Sequence, residues 1–478
     1  MIKFAREAVK NENEYLHCAR QAEVYVRSFL EECEDGIYSR EVEGAGKNNL
    51  YVGLAGILHM YLQFYLVEHY EKSNCQRDID YEHIIKEMTR YLSIHWKDGL
   101  EYVKQNGEAV LGMAEAFYGG IGGIGMVLNE VYKVFADESA KKAVWEIITY
   151  YKEHAVRTEK GIYWSDNSAI FFDGGITLFL IDSFLTYQDE QEVLKNSVDE
   201  VKNFITDKDN RKYNEKDLYR LITDSCDYIL ANGIYHDDGG LEIDHMQVDF
   251  KHKEPNFEFG TAGIGYLFAK VYEITNDIKY LQAAKAAGIY LKNIAVKKGR
   301  GYLIPYKLGK YDDLFYLGNC HGPVGTAKLF YELYKVTDNN QYLQEVFSLY
   351  EGAAALGAPF VQSAGFWNTT CICCGPAGYA APYVGLYYET GDDKWKELAH
   401  GVGEILVGTK SWSEKNQNQG YHWEIAFDRT KPEIITSPAG YLSGTAGIAV
   451  ALLQIYCMHT NNKGCLCLID DPYLKWKR

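Results

Sequence analysis

A short glycine step recurs seven times along the chain, each time at the head of an apolar helical pattern. It reads Gly53-Leu54-Ala55-Gly56, Gly120-Ile121-Gly122-Gly123 and the degenerate Phe172-Asp173-Gly174-Gly175 in the first half. It continues as Gly260-Thr261-Ala262-Gly263, Gly322-Pro323-Val324-Gly325, Gly375-Pro376-Ala377-Gly378 and Gly444-Thr445-Ala446-Gly447. Such a repeat marks one supersecondary unit that buries its apolar face only by packing against its neighbours. Glycines at the helix starts allow close backbone approach and leave the helix N-termini facing a common centre.

The unit itself is a helical hairpin. Residues 266–274 carry apolar side chains at helical spacing, the turn Thr275-Asn276-Asp277 follows, and a second helical pattern runs over 280–288. The plan repeats at 329–350 around Thr337-Asp338-Asn339-Asn340, and at 383–407 around Thr390-Gly391-Asp392-Asp393. An open solenoid is one way to stack such hairpins. The polar, glycine-rich steps point instead to closure: an all-α fold, an α/α toroid (barrel) of seven helical hairpins with the glycine-led helices inside. No Pro/Ser-rich linker divides the chain, so residues 1–478 read as a single domain. Longer insertions are expected near 210–257 and 408–438, overhanging the mouth of the toroid.

Composition narrows the partners. With 66 Asp and Glu against 49 Lys and Arg, the formal charge of −17 argues against nucleic acid and anionic membrane surfaces. No apolar run reaches the ~18 residues of a transmembrane segment, and the N-terminus lacks the apolar core of a signal peptide. Eleven cysteines, an odd number, fit a reducing compartment better than a disulfide framework. The expected setting is cytoplasmic.

The chemistry lies in the two residues ahead of each step. These pairs are Tyr51-Val52, Tyr118-Gly119, Ile170-Phe171, Glu258-Phe259, Cys320-His321, Cys373-Cys374 and Leu442-Ser443. Cysteines thus occupy matched slots in two adjacent repeats, within Cys320-His321-Gly322-Pro323 and Cys373-Cys374-Gly375-Pro376. Cys320, Cys373 and Cys374 form a thiolate set suited to zinc rather than magnesium or calcium, and three protein ligands leave a fourth position open. Cys371 is the substitute ligand if the register slips. Cys465 and Cys467 have no matching partner pair and read as structural.

Seven glycine-led hairpins, a Cys-His-Gly-Pro-X-Gly step and a later Cys-Cys-Gly-Pro-X-Gly step resemble the LanC-like lanthionine cyclases over essentially the whole chain. The resemblance implies an α/α toroid with a central Zn2+, held here by Cys320, Cys373 and Cys374 in a three-cysteine variant of the ligand set. It implies addition of a cysteine thiol to dehydroalanine or dehydrobutyrine in a dehydrated precursor peptide, giving a thioether ring, with a separate dehydratase supplying the substrate. The family's fourth-repeat histidine corresponds to Phe259, its tryptophan before the first cysteine to Asn319, and its nearby arginine to Tyr316. The candidates for the acid/base group are therefore His321, Tyr316, Glu258, Asp173 and His422. Alternatives are transfer of a small thiol such as glutathione onto dehydrated proteins, and a non-catalytic zinc-containing peptide binder. A more distant one is a glycoside-processing toroid using acids among Asp237, Asp238, Asp244 and Asp249.

Overall fold

The structure, a computed structural model, describes residues 3–70, 79–106, 111–196, 215–243, 253–309, 311–362, 369–412, 420–426 and 431–475. The helices of the first half are α1 (Asn13–Arg27), α2 (Leu54–Tyr70), α3 (Tyr81–His95), α4 (Asp98–Asn106), α5 (Leu111–Glu115), α6 (Ile121–Phe135), α7 (Glu138–His154), α8 (Asp173–Asn196) and α9 (Glu215–Ala231). Those of the second half are α10 (Thr261–Thr275), α11 (Ile278–Asn293), α12 (Pro323–Thr337), α13 (Asn340–Ala355), α14 (Ala380–Thr390), α15 (Asp393–Gly408) and α16 (Thr445–Thr460).

The seven glycine-led helices form the inner wall. Helix α2 packs on α6, α6 on α8, α8 on α10, α10 on α12, α14 on α16, and α16 back on α2. Helix α12 reaches α14 through Tyr331 and Tyr334, whose hydroxyls donate to Glu389 at 3.0 and 2.8 Å. The expected α/α toroid is therefore closed. Helices α3, α7, α9, α11, α13 and α15 each lie outside the inner helix that precedes them. The seventh hairpin departs from this plan. Among the described residues no outer helix follows α16; α1, from the other end of the chain, packs on it with Tyr15, Leu16, Ala19, Ala22 and Val26 buried.

Turn chemistry repeats with the hairpins. Inner helices end at a left-handed residue (Ala136, Asn276, Asp338 and Gly391) whose N–H bonds the carbonyl four residues back. The next residue caps the outer helix: the side chains of Asp137, Asp277, Asn339 and Asp392 accept N–H bonds from its first turn. Four antiparallel hairpins not anticipated in the sequence follow outer helices: Leu30–Cys33 with Gly36–Ser39, Val156–Thr158 with Gly161–Tyr163, Ile234–Tyr235 with Leu241–Glu242, and Val296–Lys298 with Gly301–Leu303. The stretch 210–257, expected to be an insertion over the mouth, instead supplies the third outer helix, α9. Its apolar residues Leu218, Leu221, Ile222, Cys226 and Ile229 recur at helical spacing and are buried.

The loops ahead of the inner helices join in a closed ring of backbone hydrogen bonds. Tyr51 N–H donates to Tyr118 O (3.0 Å), Phe117 to Phe171 O (3.2 Å), Phe171 to Glu258 O (3.0 Å) and Glu258 to Cys320 O (3.0 Å). Asn319 then donates to Cys373 O (2.8 Å), Cys373 to Leu442 O (2.9 Å), and Leu442 back to Tyr51 O (3.0 Å). The third repeat enters this ring through Phe171, not Ile170 as the spacing predicts. Its loop is one residue short and α8 starts directly at Asp173, so the slots shift by one.

Candidate metal centre

The ring brings three sulfurs together. Cys374 Sγ lies 3.8 Å from Cys320 Sγ and 3.4 Å from Cys373 Sγ, and all three sulfurs fall within 4.8 Å of one another. They are buried and form no disulfide. Close backbone approach makes this possible: a Cβ on Gly318 would lie 2.8 Å from Cys373 O and 2.9 Å from Cys374 Cα. Pro323 and Pro376 begin the helical turns that follow the two loops, where a missing N–H is harmless. Burial pushes the Cys320 thiol up, and a bound cation would offset that by favouring the thiolate.

The spacing tests the donor set against zinc. Sulfurs about 2.3 Å from a tetrahedral ion are about 3.8 Å apart; two of the separations, 3.4 and 3.8 Å, lie near that value and the third is within 4.8 Å. Three buried sulfurs as the shared donor set suit a soft or borderline cation. Cys371 stands outside this group; its sulfur accepts a hydrogen bond from the Cys374 thiol, the main cause lowering its pKa to about 7.

The sulfurs sit in a cavity of about 840 Å³. Glu258 lines it beside them, with Oε1 3.8 Å from Cys373 Sγ and accepting the Asn319 side-chain N–H at 3.3 Å. Burial pushes its carboxyl up to about 8, against the opposing pull of Lys328 and Asn319. One wall is an aromatic stack: Phe171 on Phe259 (5.5 Å between centroids) and Phe259 on His321 (5.0 Å). Tyr306 meets the His321 ring edge-on at 4.8 Å and Tyr316 at 5.5 Å, and Glu254 lies 3.9 Å from Nδ1. His321 is thus held in one orientation beside Cys320.

Of the five acid/base candidates, Glu258, His321 and Tyr316 line the cavity. Asp173 does not. It is buried at the start of α8, where it accepts the N–H groups of Trp164 and Ser165 (each 3.0 Å) and the Ser165 hydroxyl (2.6 Å). His422 does not line it either: it stacks on Tyr25 at 4.8 Å and exchanges backbone bonds with Ser411. From the same segment Ala426 does reach the cavity. Asp238 accepts the Gly240 N–H and the Asn293 side chain in a surface turn beside the exposed Asp237. Asp244 and Asp249 lie outside the described residues.

Sequence reasoning missed Asn319 and Tyr306. Asn319 carries a usable signal, since it neighbours Cys320 in the motif, but its partner Glu258 is in another repeat. Tyr306 follows a β-hairpin and has no counterpart in the repeat pattern.

A closed α/α toroid with a cysteine-lined cup at its axis defines the class, and the family follows from the sequence. Residues 44–466 match the model described as lanthionine synthetase C-like protein, and the chain belongs to that family. Among solved structures, nisin cyclase is similar at 15% identity and a TM-score of 0.48, covering 94% of this chain and 98% of its own. A family 76 α-mannanase from Bacteroides thetaiotaomicron gives 11% identity, a TM-score of 0.45 and coverage of 94% and 96%. At these scores neither likeness assigns an activity. No curated protein matches the chain in sequence. No helix among the described residues is long and apolar enough to cross a membrane.

Proposed function

We propose that the protein is a zinc-dependent, carbon–sulfur bond-forming enzyme of the lanthionine cyclase type. In this reading residues 1–478 work as one toroid in the cytoplasm, on a precursor peptide dehydrated by a separate enzyme. The observation that carries the proposal is the trio of buried sulfurs at zinc-compatible spacing, opening into an apolar cup in a member of the lanthionine synthetase C-like family. Cys320, Cys373 and Cys374 would hold the ion. A zinc ion held there would lower the pKa of a substrate thiol so that it reacts as thiolate near neutral pH.

The remaining work falls to the cup. The reaction joins the cysteine sulfur to the β-carbon of a dehydroamino acid; the carbon–carbon π bond breaks, and the proton lost by the thiol is restored at the α-carbon. Mass is unchanged. Stacked Phe171, Phe259 and His321 give an aromatic wall against which the planar dehydroamino acid can pack. Glu258 and His321 are the groups best placed to carry the proton, Glu258 at Oε1 beside the sulfurs and His321 at its imidazole. Tyr316 packs against the His321 ring and fixes it. Glu258, His321, tyrosines and the thiols are the ionisable groups among the described lining residues. That lining suits an uncharged peptide segment better than a small thiol bearing carboxylates.

The test is a purified-enzyme assay on a peptide holding one cysteine and one dehydroalanine. Enzyme-dependent loss of the free thiol at constant mass is the expected result. A mass gain equal to an added small thiol would favour transfer instead, and consumption no faster than the uncatalysed background would contradict the proposal.

A further inference from the structure

Beyond α16 the chain turns back into the bore that its own helices enclose. Asn462 donates to Val67 O at 2.9 Å near the end of α2, and the Leu466 N–H reaches Gln63 Oε1 at 2.8 Å, about one helical turn deeper. The tip of this tail lies directly behind the ring. Asp470 accepts the Tyr118 hydroxyl at 2.7 Å, and buried Lys328 lies 3.4 Å from Asp471 and 4.0 Å from Asp470. The tail then doubles back: the Cys467 N–H donates to Leu474 O at 3.2 Å. Tyr473 packs on Tyr331 in a tilted ring contact at 4.5 Å and fills the groove beside Gly385, and Tyr266 donates to Ile469 O. Residues of α2, α10, α12, α14 and α16 all touch it. Between tail and ring there remains a chamber of about 40 Å³, room for a water or two and far less than a peptide chain needs.

We infer that the cup is blind, and that the substrate peptide enters it as a bent internal loop with both ends left outside the mouth. A bore sealed from behind by the 461–475 tail offers no exit for a threaded chain. The cysteine and the dehydroamino acid must arrive through one opening, and the thioether ring must leave by it. At about 840 Å³ the cup is in the range that encloses a drug-sized ligand, so it seats only a few residues of that loop. This rests on the cyclase reading above. The step itself needs no co-reactant, because the thiol proton and sulfur both end on the former double bond.

Three versions of one synthetic peptide, with a cysteine and a dehydroalanine a few residues apart, test the inference with the unaltered protein. One is free, one carries a small folded domain at its N-terminal end, and one carries folded domains at both ends. Enzyme-dependent loss of thiol at constant mass is read for each. The doubly blocked peptide is expected to cyclise within about tenfold of the free one, a difference of no more than about 1.4 kcal/mol in the barrier. Turnover of the free and singly blocked peptides with loss of turnover for the doubly blocked one would overturn the blind cup and indicate threading. No turnover of any of the three would overturn the cyclase reading itself, and this inference with it.

Discussion

Glu258 and His321 flank the sulfurs from adjacent loops, and each can be removed without removing a sulfur. Glu258→Gln and His321→Asn are expected to lower kcat by about 10²–10⁴-fold while zinc content stays at the wild-type level; a variant that keeps wild-type kcat is not the proton carrier. Gly318 tests the approach of the two cysteine loops. Its missing Cβ would meet the backbone of Cys373 and Cys374 at 2.8 and 2.9 Å, so Gly318→Ala must part the loops. The expected result is zinc affinity weaker by about 10–100-fold, read by competition with a chromophoric chelator. At this scale much was legible. The matched slots placed Cys320, Cys373 and Cys374 together, and the same slot placed Glu258 with them. The Asn319–Glu258 bond was not legible, because it spans two repeats and no periodicity encodes which side chains meet across a ring. Asp173 and His422 misled for opposite reasons. An acid at a helix start serves its own backbone as readily as a substrate, and a histidine near the mouth in sequence packs against α1 in space.

The hairpin turns were readable from their Asn, Asp and Gly residues, and the structure adds one exception. Ala136 holds the left-handed position with φ of 51° where other repeats use Asn, Asp or Gly. That conformation costs a Cβ-bearing residue about 1–2 kcal/mol, partly offset by the greater unfolded-state freedom of glycine. Ala136→Gly should therefore stabilise the protein by about 0.5–1 kcal/mol, seen as a higher Tm. Helix α2 carries the opposite kind of strain. His59 is buried against Tyr441 with neither ring nitrogen hydrogen-bonded, and burial lowers its pKa from 6.5 to about 4. Because the folded pKa is depressed, protonation costs no stability above pH 6.5; stability falls as pH drops from 6.5 to about 4, where the unfolded chain takes up a proton that the buried ring does not. His59→Leu should raise stability at neutral pH and flatten this acid loss, measured by urea unfolding at pH 7 and near pH 4.5. The pairing of α1 with α16 was not legible. An amphipathic N-terminal helix declares which face is apolar, not that its partner lies more than four hundred residues away.

At the scale of the molecule, two devices convert six hairpins and the unpaired α16 into a closed vessel. Helix α1 completes the outer layer across the seam, and the 461–475 tail fills the bore behind the hydrogen-bonded ring. Closure itself was predictable from seven polar glycine steps, since an open array would leave them without partners. The tail was not, because residues such as Asp470, Asp471 and Tyr473 fall outside every repeat and read as an irregular end. The vessel's purpose, in this account, is to hold one metal ion where a peptide loop can reach it. Zinc content measures that claim most directly. The purified protein should carry about one zinc per chain, and Cys320→Ala, Cys373→Ala and Cys374→Ala should each lose most of it while keeping a cooperative thermal unfolding transition. A zinc-free wild-type protein from zinc-replete cells, or full zinc occupancy in all three variants, would contradict the account.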